Sequence, residues 1–251
     1  LNPIIGWRKE FLITAALSAA VLAFAVRLRR SLEGKIVAHP LSPGKAIAGY
    51  WSLLTSGRGA RTYACILLNS MFHSGVYSWL GLYFFQRYRL GDKGIGLALL
   101  GYGIPGMLFG PFFGHLADQV GRKRIIPLGI LIGALAGAAF IPHTPLLWPA
   151  AITAVLSLSY DMSHPLLAGI STSLNPSRRG LAMGMNSFSL FSGFGLGALA
   201  FERLLKYGFG TALAVFAVAQ LCLAIAAVPL FGYEDASAGD HSRTWPPRET
   251  H

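Results

Sequence analysis

Residues 208–231 read GFGTALAVFAVAQLCLAIAAVPLF, with no charged side chain anywhere in the run. A helix needs roughly 20 apolar residues to cross a bilayer core about 30 Å thick. This run is long enough, and residues 11–26 and 125–141 are also free of charge. A buried backbone must pair its own polar groups in hydrocarbon, which favours helices, and the period-2 alternation of a membrane β-barrel is not visible. The predicted fold is therefore an all-α membrane protein, a polytopic transmembrane helix bundle. Seven spans can be read: Phe11–Leu28, Tyr63–Phe85, Gly94–Ala117, Ile125–Ile141, Leu147–Ser173, Gly180–Phe201 and Gly208–Phe231.

Composition agrees with a lipid environment. The chain is 53% hydrophobic and 12% charged, about half the charge of a soluble domain. Its net charge of +11 could point to nucleic acid, but the cations cluster in short connections and form no basic groove with interleaved aromatics. Cys65 and Cys222 sit singly in apolar runs, as small hydrophobic filler. Lys and Arg set the expected direction. Arg8, Lys9, Arg87, Arg89, Lys93, Arg203 and Lys206 fall on one side, and the remaining 14 of 21 fall on the other. The richer side is expected to be cytoplasmic, which puts the C-terminus inside. Leu1 is not a methionine, and no cleavable signal pattern precedes the first span, so the chain reads as the remainder of something longer.

One connection carries a motif. Residues 114–124 read GHLADQVGRKR. Gly121 permits a tight turn between two antiparallel spans. Arg122, Lys123 and Arg124 suit an anionic lipid surface, and Asp118 at the membrane edge can pair with them. Gly114, Asp118, Gly121, Arg122 and Lys123 resemble the signature loop of the major facilitator superfamily, G-x-x-x-D-x-x-G-R-K/R. Members of that family have twelve spans in two six-helix halves, with the loop after helix two and a degenerate copy after helix eight. The resemblance implies that this chain holds helices six to twelve. Residues 1–28 would be the last helix of a missing N-terminal half, and 29–61 the cytoplasmic central linker. Residues 62–232 would be the C-terminal six-helix half, and 233–251 are expected to be a disordered cytoplasmic tail. Residues 45–56 of the linker suit a short interfacial helix or a disordered stretch. The lead-in Gly6-Trp7-Arg8 is also similar to what precedes helix six.

Polar residues at membrane depth are the functional candidates, since a central charge costs about 2.5–3.5 kcal/mol on insertion scales. Asn69, His73 and Tyr77 share a face of the second span, and Asp161 and His164 share one of the fifth. His73 and Asp161 both lie near mid-span. By the resemblance, these spans are helices seven and ten and line the central cavity. Asp161 reads either as a proton acceptor, with His73 and His164 as carriers, or as a partner that ties helices together. Asn186 and Ser187 either line the cavity or bond across helices, and Gln220 reads as a helix–helix contact. Gly101, Gly103, Gly106 and Gly110 in the third span, and Gly193 and Gly197 in the sixth, are expected at close helix packing. The first, fourth and seventh spans are expected to be peripheral. Pro105, Pro111 and Pro165 are expected to kink their spans.

The function implied by the resemblance is secondary active transport of a small solute, either proton-coupled efflux or proton-coupled uptake. The expected partners are membrane lipid, a small-molecule substrate, the proton and the missing N-terminal half. No cofactor, metal or nucleic acid is implied. H-E-x-x-H, G-x-S-x-G, Cys/His boxes and a P-loop are absent, so no enzyme or ATP-driven pump is indicated. A seven-helix receptor and an inactive truncated fragment are the other readings. The receptor reading lacks a mid-span lysine in 208–231, and Asp-Arg-Tyr and Asn-Pro-x-x-Tyr patterns.

Overall fold

The computed structural model describes residues 6–28 and 43–234, all helix or short connection. The helices are α1 (Trp7–Arg27), α2 (Pro43–Thr55), α3 (Gly57–Tyr88), α4 (Asp92–Leu100), α5 (Ile104–Val120), α6 (Arg122–Ala139), α7 (Leu147–Leu174), α8 (Arg179–Leu205) and α9 (Phe209–Phe231). A 3₁₀ turn, Pro176–Arg178, precedes α8, and Asn175 Oδ1 caps it by accepting from the Arg178 amide. Helix falls on each of the seven stretches read from the sequence. The third differs in being two helices, α4 and α5.

That break has a covalent origin. Pro105 has no N–H to return to the Gly101 carbonyl, so the ladder fails at that point. Tyr102 N–H bonds the Leu99 carbonyl instead at 3.0 Å, an i−3 closure that tightens the last turn. The chain restarts at Ile104, with Pro105 in the first turn of α5. Pro165, by contrast, sits inside the continuous α7.

The polarity of the bundle is inverted relative to a soluble protein. Phe11 through Leu28 of α1 are exposed throughout, as are Phe112 on α5, Phe188 and Phe191 on α8, and Ile225 on α9. The interior holds Asn69, His73, Ser163, Asn186 and Gln220, each at most 3% exposed. Such a surface is stable against hydrocarbon and costly against water. By length and apolar composition alone, three described stretches would cross a membrane: Arg8–Arg27, Pro176–Leu205 and Phe209–Phe231. Of the other helices, α2, α4 and α5 are too short, at 13, 9 and 17 residues, and α6 opens on Arg122-Lys123-Arg124.

Helix α3 is the hub, packing on α8, α9, α7 and α2. Its tightest seam is with α8. A Cβ at Gly193 would meet the Leu67 carbonyl, and one at Gly197 the Met71 backbone. Gly103 is different: a Cβ there meets nothing within 4 Å, so the expected packing role is corrected to an open position at the α4–α5 break. Gly101 does pack: a Cβ there would stand 3.1 Å from Thr153 Oγ1 of α7. Gly106 and Gly110 lie outside the residues whose surroundings are described. The fourth span, expected to be peripheral, is closely held. Gly133 and Gly137 of α6 leave room for the Phe72 ring, and α6 packs along both α7 and α9.

Two end clasps close the bundle. At one end, Tyr83 and Arg87 donate to the Phe140 carbonyl at 3.0 and 3.3 Å, and Tyr88 donates to that of Thr144 at 2.7 Å. These donors satisfy carbonyls left free where α6 stops. At the other, arginine-rich end, Glu234 accepts two bonds from Arg58, both 2.7 Å, and one from Arg61 at 2.6 Å. This corrects the expectation of a loose tail from 233: Glu234 is 7% exposed and ties the end of α9 to the start of α3. Residues 235–251 lie outside the described residues. Residues 45–56 of the linker fall on α2, the helical one of the two readings, and the linker ends earlier than read, because α3 begins at Gly57 and Ser56 caps it by accepting from the Gly59 amide. Residues 29–42 are outside the description.

Two predictions follow from these contacts. Gly197→Val should cost several kcal/mol of stability by driving α8 off α3, whereas Gly103→Ala should shift the melting temperature of detergent-solubilised protein little. The Glu234 carboxyl is held below the usual carboxylate range, chiefly by the Arg58 hydrogen bond. Its contribution is therefore complete above the ordinary value of about 4.3 and is lost as pH falls through the lower folded value. Arg58 is 43% exposed. With that screening, Glu234→Gln should cost about 1 kcal/mol at pH 7 and flatten the acid side of the melting profile.

Candidate functional site

Between α3, α7, α8 and the α4–α5 break lies a cavity of about 520 Å³. Its lining is His73, Ser74 and Tyr77 from α3, Tyr102 and Gly103 from the break, Ser157, Tyr160 and Asp161 from α7, and Phe194 from α8. Spacing explains the contributions: 73, 74 and 77, and 157, 160 and 161, are each i, i+3/i+4 sets on one helical face. The break supplies what a straight helix could not. It frees Tyr102 to stack on Tyr77, ring centroids 4.0 Å apart.

Among the described residues, Asp161 is the one carboxylate on the cavity wall. Its Oδ2 accepts from Ser157 Oγ at 3.1 Å, one turn back on the same helix. No bond to His164 or to another helix is present among the described residues, so the bundle-tying reading of Asp161 is not what the geometry shows. Pro165 adds a consequence: it has no N–H for the Asp161 carbonyl, leaving that oxygen without its usual helical donor. His73 is fully buried, with Nε2 3.5 Å from Ser159 Oγ and its ring edge against Tyr160 at 4.9 Å. His164 lies off the cavity wall, stacked on Tyr160 with centroids 4.9 Å apart.

The remaining candidates separate. Tyr77 is on the wall. Asn69, read as lining the same face, instead points between helices: its Nδ2 donates to Ser163 Oγ at 3.1 Å, and its Oδ1 accepts from Gln220 Nε2 at 2.7 Å. The reason is angular, since residues four apart are offset by about 40°. Gln220 thus joins helices as expected. Asn186 is buried off the wall and Ser187 is exposed. Sequence reasoning missed Tyr102, Ser157, Tyr160 and Phe194. The i, i+3/i+4 partners of Asp161 could have exposed Ser157 and Tyr160; nothing in the sequence signals Phe194.

At the signature loop, Gly121 alone joins α5 to α6, with φ +94° and ψ 139°, a conformation that strains any residue with a Cβ. The Arg122 guanidinium lies over α7 at Gly169, 3.6 Å from where a Cβ would stand. The side-chain surroundings of Gly114 and Asp118 are outside the described residues, and Lys123 is engaged.

The buried trio gives a direct test. Asn69→Ala removes the acceptor of the buried Gln220 amide and should cost about 1–3 kcal/mol. The double variant with Gln220→Ala should cost clearly less than the sum of the two single changes in thermal melts.

The family model described as Major Facilitator Superfamily matches residues 1–198 and again residues 90–249. The chain is similar to three proteins of Bacillus subtilis (strain 168). It is 30% identical to Multidrug resistance protein 2 over 101 residues, 39% of this chain and 25% of that protein. It is 29% identical to the uncharacterized MFS-type transporter YwfA over 154 residues, 60% of this chain and 35% of that protein. It is 25% identical to the uncharacterized MFS-type transporter YceJ over 198 residues, 76% of this chain and 48% of that protein. The chain thus spans from a quarter to about half the length of these curated relatives.

Proposed function

This chain belongs to the Major Facilitator Superfamily, and on that premise we propose that it is the C-terminal part of a secondary transporter that exports a small organic solute in exchange for protons. The observation that carries the reading is Asp161 on the wall of a cavity that also presents the aromatic rings of Tyr77, Tyr102, Tyr160 and Phe194. A carboxylate at membrane depth is costly to keep ionised and by default marks a solute or proton pathway. Aromatic faces around it stabilise positive charge, so the favoured solute is an organic cation or protonated amine. When that solute leaves, Asp161 takes a proton; when the proton leaves, the carboxylate is ready for the next solute. Export rather than uptake is supported by the similarity to Multidrug resistance protein 2.

In this reading α1 is the last helix of the other half, and α2 is part of the central linker on the cytoplasmic face. The exposed, apolar run Phe11–Val26 of α1 suits a helix whose neighbours are lipid and that other half. The arginine-rich end is cytoplasmic, by the Lys and Arg asymmetry.

Asp161→Asn in the full-length protein should lower gradient-driven transport by about tenfold or more with expression intact. Unaltered transport removes Asp161 from the coupling role. A cysteine placed at Arg179 should react with a membrane-impermeant maleimide only from the cytoplasmic side; labelling from outside reverses the orientation.

A further inference from the structure

A second depression lies on the far side of α3 from the cavity. It is a groove of about 210 Å³ between α3, α8 and α9, with Phe72, Phe216 and Leu223 buried in its floor and Leu68, Leu204 and Val215 at its edges. Its α3 residues, 68, 71 and 72, stand on the opposite helical face from 73, 74 and 77, which line the cavity. Gln220 is the one polar residue in the lining, and its Nε2 is turned inward to Asn69 Oδ1 at 2.7 Å.

The groove opens among exposed apolar side chains, Leu196 and Leu199 of α8 and Val218 and Leu221 of α9. In a bundle of this polarity such an opening meets lipid. Water is a poor filler, because it needs about 2–4 polar partners and the lining has one polar residue whose donor is already used. Left empty, the groove would forfeit dispersion contacts along its whole wall. Along α9 the lining runs from Val215 to Leu223, about 12 Å at 1.5 Å per residue, so the groove is drawn out along the bundle and suits an extended chain.

Charge stands at one end of it. Leu204 lines the groove one residue before α8 ends. The backbone goes on in the helical sense, the Tyr207 amide bonding the Leu204 carbonyl at 2.9 Å. Arg203 and Tyr207, three and seven residues from Ala200 of the lining, therefore lie beside the groove's face of α8. Lys206 Nζ is 4.8 Å from the centroid of the Tyr207 ring. Glu202 is two residues from both Ala200 and Leu204 and so is rotated about 160° away from them. Neither Arg203 nor Lys206 has an ion pair among the described residues. Two cations and a tyrosine at the end of an apolar groove complement a phosphate at the membrane interface.

We propose that this groove is a phospholipid site, with one acyl chain lying between α8 and α9 against Phe72 and Phe216, and the phosphate held by Arg203 and Lys206 at the α8–α9 turn. The chain covers the outer side of Gln220, whose bond to Asn69 ties α9 to α3, and so steadies that seam. The inference rests on the bundle lying in a bilayer and is independent of proton exchange at Asp161.

Photolabelling of the full-length protein tests it, with phosphatidylglycerol carrying a diazirine in one acyl chain, diluted into phosphatidylcholine vesicles. Peptide mapping should find Ala219 and Leu223 labelled about tenfold more than Ile225, an exposed residue on the opposite face of α9. Equal labelling overturns the site. Ala219→Trp fills the groove and should remove the excess at Leu223; an excess that persists places the chain elsewhere and overturns it too. Arg203→Gln with Lys206→Gln should lower the excess about fivefold or more, and an unchanged excess overturns the phosphate contact. A benzophenone placed by Ala219→Cys in a Cys222→Ser background should capture lipid; capture of a second copy of the chain in its place overturns the assignment.

Discussion

A helix bundle in hydrocarbon has no solvent to satisfy its polar groups, so every donor and acceptor must be met inside the protein. This constraint accounts for the inversion seen here, with phenylalanine and leucine on the outside and serine, asparagine, glutamine and histidine within. Most interior hydroxyls turn back onto carbonyls of their own helix, as Ser163 does to Ser159. Asn69 and Gln220, which carry two kinds of polar atom, cannot do so and pair across helices. The polar interior is thereby made rigid wherever it is satisfied, and chemically available only where it is not.

Two prolines shape the backbone near the cavity. At residues 101–103 the ladder stops because Pro105 withholds a donor. The resulting break gives Tyr102 a direction that a continuous helix would not. At Pro165 the same withheld donor removes the usual helical partner of the Asp161 carbonyl. Non-helical backbone at such depth is tolerated where it lines a cavity or is covered by protein. The break at 101–103 meets that condition through Tyr102 and Gly103 on the cavity wall, whereas α7 stays helical through Pro165. The close approach of α8 to α3 through Gly193 and Gly197 brings Phe194 to the same wall.

Much of the site was legible from residue type. Asp161, His73 and Tyr77 stand out in the sequence because polar side chains are rare in apolar runs, and all three are on the cavity wall. Asn69 and Asn186 stand out for the same reason and are elsewhere. Rarity identifies a residue that needs a partner; it does not say whether that partner is across a helix seam or across a cavity. The glycines show the same limit. Gly193 and Gly197 lie in a seam while Gly103 faces open space, although all three are small residues in apolar helices.

What the sequence alone determined is the helical class, the position of each span, the sharp turn at Gly121 and the short set of polar residues at depth. These follow from hydropathy, from proline and glycine stereochemistry, and from the cost of charge in lipid, all local properties of a chain. What only the tertiary structure decided is which face of each helix meets which neighbour. That choice depends on side-chain shapes across seams such as Phe72 against α6 and Gly197 against Met71, and it is set between helices far apart in sequence. It turned Asn69 to Gln220 and left Asp161 facing the cavity, although both sit at similar depth in spans of similar composition.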